Sequence, residues 1–389
     1  MDNRDVKFTD HIAEAATGLN EIYRVLDEPL IVPKESPDKK SDDRKEDSME
    51  KKPLRLPLSK LVEDAKKQAI FNNDIQAQIG KLAGPSIFFI EYRGRKYPTE
   101  KERKFMLHTE HTYSDIPCLP ITPFITSAII NGTMKFTDYL SFMKDSIEWL
   151  KKYRKKPIMG LLTNLGYSKL EELIKLYVEQ DINTFCIDFD CKTPVSHKSA
   201  ISQCFRMLDE YERVETSFFY AINVNQGRFI HNKTVVSAKD ILSFGFGLDA
   251  MGKRHRVKLP SKEVRERLGS KWKPLDRKEN KARLFIKTEY GYYKTQNAKE
   301  ISNYPLDSCI PLKTFSECAS IDSPEVKHSE KIFNMEQLGL EAFALRQIIE
   351  KENPVIYLQQ KAYVEPKDVE QIKEFKADVQ NQTTLDESL

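Results

Sequence analysis

Between Pro157 and Gly247 the chain alternates short apolar runs with longer segments that carry one apolar face, and this alternation limits the fold more than any other feature. Residues 158–162, 184–189 and 218–224 have the length and content of buried strands. Residues 168–179 put Leu170, Leu173, Ile174 and Tyr177 on one side of a helix, and residues 197–211 form a second helical segment. Apolar strands joined by helices of about 10–15 residues run parallel and are covered on both faces. Residues 241–247 are expected to add another strand. Polar residues recur at the strand exits, so the expected fold is α/β, an irregular (β/α)8 barrel of the TIM type with a helical N-terminal extension. A doubly wound open sheet shares the periodicity. No Gly-x-Gly-x-x-Gly follows an early strand, so dinucleotide binding has no support.

Around this block the domains are expected as follows. Residues 1–32 hold an N-terminal helix over 10–27, capped by Asp10, with Ile12, Ala15, Leu19, Ile22, Tyr23 and Leu26 at helical spacing. Residues 33–53 carry seven positive and seven negative side chains and almost nothing apolar, which predicts a disordered charged linker. Residues 54–372 form the barrel domain. It has a helix over 59–82, a strand over 87–90 and a late helix over 330–356 ended by Asn353-Pro354. Residues 373–389 are a polar, frayed tail.

No apolar run among the 389 residues reaches the roughly 20 needed to span a bilayer, and no apolar h-region follows the first residues. The expectation is a cytoplasmic protein without a membrane partner. Its six scattered cysteines then read as reduced thiols.

The net charge is only +3, yet fifteen basic residues face five acidic ones between Lys253 and Lys294. Trp272, Phe285, Tyr290, Tyr292 and Tyr293 are interleaved with them. A one-signed run is ordinarily a solvated face. Mixed with aromatics, it suits phosphate neutralisation and base stacking, so Lys253, Arg254, Arg256, Arg277 and Arg283 are expected nucleic-acid contacts.

In a barrel, chemistry sits where strands exit. Asp188 and Asp190 end one strand, and two apart in an extended chain they share a face. Asn225-Gln226-Gly227 ends the next, with an amide suited to a base edge and a glycine that admits close approach. Phe244-Gly245-Phe246-Gly247 precedes Asp249. Each has a plain structural alternative: a capping Asp, an Asn/Gln/Gly turn, a glycine bend.

Taken in order, these segments resemble the tRNA-guanine transglycosylase superfamily, barrel enzymes that exchange guanine for a 7-deazaguanine. Asp190-Cys191-Lys192-Thr193-Pro194 is similar to the family's Asp-Glu-Cys-Thr-Pro, and Val224-Asn225-Gln226-Gly227 to its Val-Gln-Gly-Gly. Phe244 to Gly247 resembles the glycine-rich strand end. Leu275-Asp276 with Ala282-Arg283 resembles the segment of the nucleophilic aspartate. Pro305 to Cys309 resembles the opening of the zinc site, and Phe333-Asn334-Met335 with Leu345 to Ile349 the closing helix. The likeness covers about residues 155–360.

The resemblance implies a base-exchange glycosyltransferase acting on tRNA or DNA through a covalent Asp–sugar intermediate. Asp276 would be the nucleophile and Asp249 its rival. Asp138 would be the general base, although its segment lacks both glycines of the family motif. Asp188, Asp190, Gln226, Gly227 and Gly247 would hold the 7-deazaguanine base. A structural zinc would fall to Cys309, Cys318 and His328, with Phe333 where the family has a ligand histidine. The alternatives are a catalytically silent homologue that binds nucleic acid or a partner subunit, and an unrelated barrel enzyme for a small phosphorylated substrate. Pairing of two copies stays open.

Overall fold

The computed structural model describes residues 20–27, 56–79, 85–153, 156–227, 233–252, 283–318, 320, 323–351 and 354–386. The linker over 33–53, and with it Lys253, Arg254, Arg256, Asp276 and Arg277, lies outside them. The chain divides into two compact units, one of Ile22–Leu82 and Ser86–Ile158, the other of Met1–Glu21, Ala83–Pro85 and Met159–Leu389.

In the smaller unit, which takes in β1 (Asn20–Asp27) from Ile22 onward, β1 stands between β2 (Leu56–Pro57) and β3 (Ser86–Tyr92). The segment expected to be helical is therefore a strand from Asn20 onward. Ile22 and Leu26 are four apart, which satisfies either a helical face or every second strand position, and Arg24 between them is only partly buried. Pairing decided it: Leu26 faces Leu56, and its carbonyl accepts from Arg93 N at 2.8 Å.

Helices α1 (Leu58–Glu63) and α2 (Ala65–Ile79) replace the single helix expected over 59–82, because Asp64 between them has extended backbone. Helix α3 (Glu100–Tyr113) starts in a capping box between Thr99 and Glu102. It packs on β3, whose residues are all buried. Helices α4 (Pro123–Ile130) and α5 (Phe136–Lys151) complete this unit.

In the larger unit, β4 (Met159–Leu162), β5 (Thr184–Asp188), β6 (Phe218–Ile222) and β8 (Ala250–Met251) form a parallel sheet in that order. Helix α6 (Tyr167–Glu179) joins β4 to β5, and α7 (Lys198–Asp209) joins β5 to β6. The strand and helix alternation read from the sequence is thus an α/β arrangement with a parallel sheet. Side chains divide by register. Phe185 and Phe219 stack at 5.7 Å on the face toward the helices, where Phe205 of α7 meets Phe219 at 4.5 Å. Leu161, Cys186, Tyr220 and Ala250 are paired in one row on the opposite face.

A second sheet is antiparallel, in the order β7 (Val235–Ser237), β10 (Gly291–Lys294), β9 (Arg283–Ile286). The segment 241–247 is not a strand. It is a turn over Lys239–Ile241 followed by the short helix α8 (Leu242–Gly245), closed where Leu248 N reaches Ser243 O across Gly247 at φ +82°.

Beyond α9 (Lys313–Ser316), α10 runs over Pro324–Lys351 and α11 over Pro354–Gln359, while Glu352 and Asn353, where the late helix is expected to end, lie outside the described residues. The tail expected to fray from 373 belongs instead to α12 (Pro366–Asp386). There Val369, Ile372 and Phe375 are buried, and Phe375 meets Phe205 and Phe246 edge-on. Apolar side chains three apart give even a polar helix a docking stripe. Among the described residues no helix is long and apolar enough to cross a membrane.

Candidate functional site

The exits of β5 and β6 are stitched together beyond the strands themselves. Phe189 N donates to Ile222 O, Cys191 N to Asn223 O and Asn225 N to Lys192 O, each at 3.0 Å. This brings the loop that carries Asp190 alongside the loop that carries Gln226. Three of the six described non-glycine residues with positive φ stand here: Asp190 (+46°), Cys191 (+60°) and Asn223 (+58°). Left-handed backbone costs an ordinary side chain about 1–2 kcal/mol, and its concentration at strand exits marks a site held by its surroundings.

Asp188 is buried at the last position of β5. Its Oδ1 accepts from Asp190 N at 3.0 Å and from the Asn223 side-chain amide at 3.2 Å. The strand ends here, so Asp188 and Asp190 do not share a strand face: Asp188 turns in, and Asp190 is exposed in the following turn. Behind them His197, 3% exposed, stands 4.9 Å from the Phe189 ring. Burial and the Lys192 charge hold its imidazole down at about 4, so it is neutral at neutral pH.

Gln226 is exposed and Gly227 has φ +106°. The Gln226 carbonyl accepts from Lys239 N at 3.2 Å, which ties this loop to the turn that carries Asp240. Sequence reading missed Asp240. It is 5% exposed, its Oδ2 accepts from the Tyr292 hydroxyl at 3.0 Å, and its Oδ1 has no hydrogen-bond partner. Burial raises this carboxyl to about 6 against the hydrogen bonds from Tyr292 and Gln226. Lys239 is held away from it by ion pairs at 3.0 Å to Glu365 and Asp368.

Strand β8 separates the remaining candidates. Asp249 stands level with Phe219, whose N–H donates to Asp249 Oδ2 at 2.8 Å. It caps the start of β6, three residues, or about 10 Å, short of the level of Asp188. Gly247 lies still earlier, where a Cβ would press on the Phe205 ring at 3.3 Å. Neither reaches the exit edge. The glycine that does is Gly252, whose N–H donates to Ala221 O at 2.7 Å. A Cβ there would fall 2.0 Å from Glu21 Oε2 and 2.6 Å from the Tyr220 hydroxyl, which itself donates to Glu21 Oε2 at 2.7 Å. The signal in the sequence was Ala250-Met251-Gly252, too short a run to read as a strand.

Asp138 belongs to the smaller unit, exposed on the first turn of α5. Arg283 is buried on β9, where loss of solvation lowers its guanidinium to about 10, so it does not offer itself to an exposed phosphate. Phe285, Tyr290, Tyr292 and Tyr293 are buried too, and pack as core of the β9–β10 hairpin rather than as stacking platforms.

Cys309, Cys318 and His328 do not form a ligand set. Among the described residues no group of three or more His, Cys, Asp or Glu is arranged to hold a metal ion. His328 is exposed on α10. Both cysteines pack against a core that includes Tyr304, Phe315 and Phe333, with Cys318 Sγ donating to Phe315 O. The residues present do not fit a structural zinc.

Searches against protein-family models, curated proteins and solved structures find no match to this chain.

Proposed function

We propose that this chain is a base-exchange glycosyltransferase of nucleic acid, built as an irregular barrel, in which a flipped-out guanine is replaced by a 7-deazaguanine. The observation that carries the reading is the joined pair of loops after β5 and β6, which places Asp188, Asp190 and Gln226 together at one sheet edge. A carboxylate and a carboxamide carried on these neighbouring loops have the donors and acceptors that a purine edge requires. A base hidden in a stack must be extruded to reach them.

In this reading Asp276 attacks the anomeric carbon and the departing base leaves with the electron pair of the broken glycosidic bond. The incoming base loses its N9 proton and attacks in turn, expelling Asp276. Lys253, Arg254, Arg256 and Arg277 grip the flanking backbone. Asp249 is set aside as nucleophile because its carboxylate is engaged at the opposite end of β6. The segment of Asp138 lacks both glycines of the general-base motif, which favours a second reading, a silent homologue that binds nucleic acid or a partner subunit without turnover.

Exchange of radiolabelled guanine on transfer RNA and on duplex DNA in parallel, with a denaturing gel for trapped adduct, tests the proposal. Exchange with an adduct lost in Asp276→Ala and retained in Asp249→Ala supports it. Binding with neither exchange nor adduct leaves only the silent homologue.

A further inference from the structure

The smaller unit carries a surface on which cations and aromatics stand together in contact with solvent. Residues 149–156 read Trp-Leu-Lys-Lys-Tyr-Arg-Lys-Lys, five cations in eight positions with no acid among them. Arg154 and Lys155 lie outside the described residues, so the surface is argued from the others. Helix α5 ends at Lys151, and its apolar face, with Phe142, Met143, Ile147 and Leu150, is buried. Trp149 is half-buried, and Lys151 and Lys152 are exposed. Of the acids on the last turns of α5, Asp145 is paired with Arg103 at 2.7 Å, and Glu148 is exposed.

Beyond α5 the chain reaches the end of α3. Lys156 Nζ donates to His111 O at 2.7 Å and to Ser114 O at 2.8 Å, satisfying carbonyls that a helix end leaves open. With Trp149 fixed on α5 and Lys156 on α3, Tyr153 between them is held against both helices. Its ring centroid lies 4.5 Å from that of Trp149 and 5.3 Å from that of His111. Tyr153 is nonetheless 45% exposed. Three rings anchored from two helices thus form a platform that is open on one side.

An unpaired nucleic-acid strand makes two demands, a cation for each phosphate and a flat ring for a base, and this surface meets both. A lipid surface also draws lysines and amphipathic rings, but it needs an apolar face to bury among acyl chains, and that of α5 is already in the core. A duplex keeps its ring faces inside the stack.

We propose that Tyr153, backed by Trp149 and His111 and flanked by Lys151 and Lys152, is a docking surface for an unpaired nucleic-acid strand. One base stacks on Tyr153 while the lysines meet the neighbouring phosphates. The inference goes beyond the base-exchange reading and stands apart from it. The same docking serves an exchanging enzyme or a silent homologue, and its test reads affinity rather than turnover.

The test measures binding of the full-length chain to a labelled oligothymidylate of about 16 nucleotides by fluorescence anisotropy across a salt series, with melting temperatures in parallel. Tyr153→Ala is expected to weaken binding about 5- to 150-fold, the worth of one base–aromatic stack, and Tyr153→Phe to retain it. Replacing Lys151 and Lys152 by Gln together is expected to flatten the salt slope by about 1.4, or about 0.7 per phosphate contact. A wild type that does not bind the oligonucleotide overturns the proposal. So does Tyr153→Ala with unchanged affinity, whatever its melting temperature. An equally large loss in Tyr153→Ala on the duplex with oligodeoxyadenylate overturns the unpaired strand as occupant. Binding to phosphatidylserine vesicles that Tyr153→Ala abolishes, at unchanged oligonucleotide affinity, assigns the surface to lipid and overturns it too. If Tyr153→Ala does not fold, an unchanged salt slope in the double lysine variant decides against the proposal.

Discussion

Phe333 stacks on Tyr304, ring centroids 5.1 Å apart and planes 17° from parallel, with Phe315 edge-on at 6.0 Å. Phe333 occupies the position at which the resemblance calls for a zinc-ligating histidine. Phe333 belongs to a buried aromatic cluster against which Cys309 and Cys318 pack, and this cluster joins their segment to α10. The tie here is apolar burial, helped by Glu336, which accepts from Ser308 Oγ at 2.5 Å and Cys309 N at 2.9 Å.

Phe333→Ala is accordingly expected to cost about 3–5 kcal/mol in denaturant unfolding, the range for truncating a fully buried aromatic. Zinc or a chelator should leave the melting temperature of the wild type unchanged. A zinc-dependent rise in the wild type would mean that the cluster is not the whole tie.

Two glycines on either side of β8 should behave differently. At Gly252, level with the exits of β5 and β6, an added methyl collides with Glu21 and Tyr220, so Gly252→Ala is expected to displace this edge and lower exchange about ten-fold or more. At Gly247 the methyl meets Phe205 and the backbone sits at φ +82°, so Gly247→Ala should cost about 1–2 kcal/mol of stability and little activity. Equal activity losses in the two variants would remove the distinction between the ends of the strand.

Asp240 has a testable pH signature. Its carboxyl is raised to about 6 in the folded chain, so its contribution is fully present below pH 4 and lost as pH rises through 6. Relative to Asp240→Asn, which can still accept from Tyr292, the wild type should lose about 2–3 kcal/mol between pH 4 and 7. Urea unfolding of both proteins at the two ends of that window measures the difference. A difference that does not change with pH would show the carboxyl to be solvated.

His197 works in the opposite sense. Its imidazole is held down to about 4, so its contribution is present above the unfolded value near 6.5 and is lost as pH falls through 4. The loss should reach about 3 kcal/mol and be absent in His197→Gln. Ring resonances followed by NMR should titrate near pH 4. A midpoint near 6.5 would place the ring in water.

The local pattern alone determined much of the larger unit. Parallel strands buried on both faces can be written only as short apolar runs, and the helices between them need one apolar face, so β4, β5, β6, α6 and α7 were legible. The exits that carry Asp188 and Gln226 followed, since polar residues that end such a run have nowhere else to go. Short stretches that satisfy two periods at once were not legible. Ile22 and Leu26 suit a helix or a strand, and residues 241–247 suit a strand or the glycine-closed helix that forms.

The cations and aromatics around Arg283 and Tyr292 spelled an interface in sequence, whereas Arg283, Phe285, Tyr290, Tyr292 and Tyr293 are interior. Exposure is a property of what packs above a residue, and no local pattern contains it. The meeting of Glu21 with Tyr220 spans 199 positions of chain. Only the tertiary structure sets that carboxylate against the Tyr220 hydroxyl, because a hydrogen bond between segments so far apart in sequence is created by packing and not by local pattern.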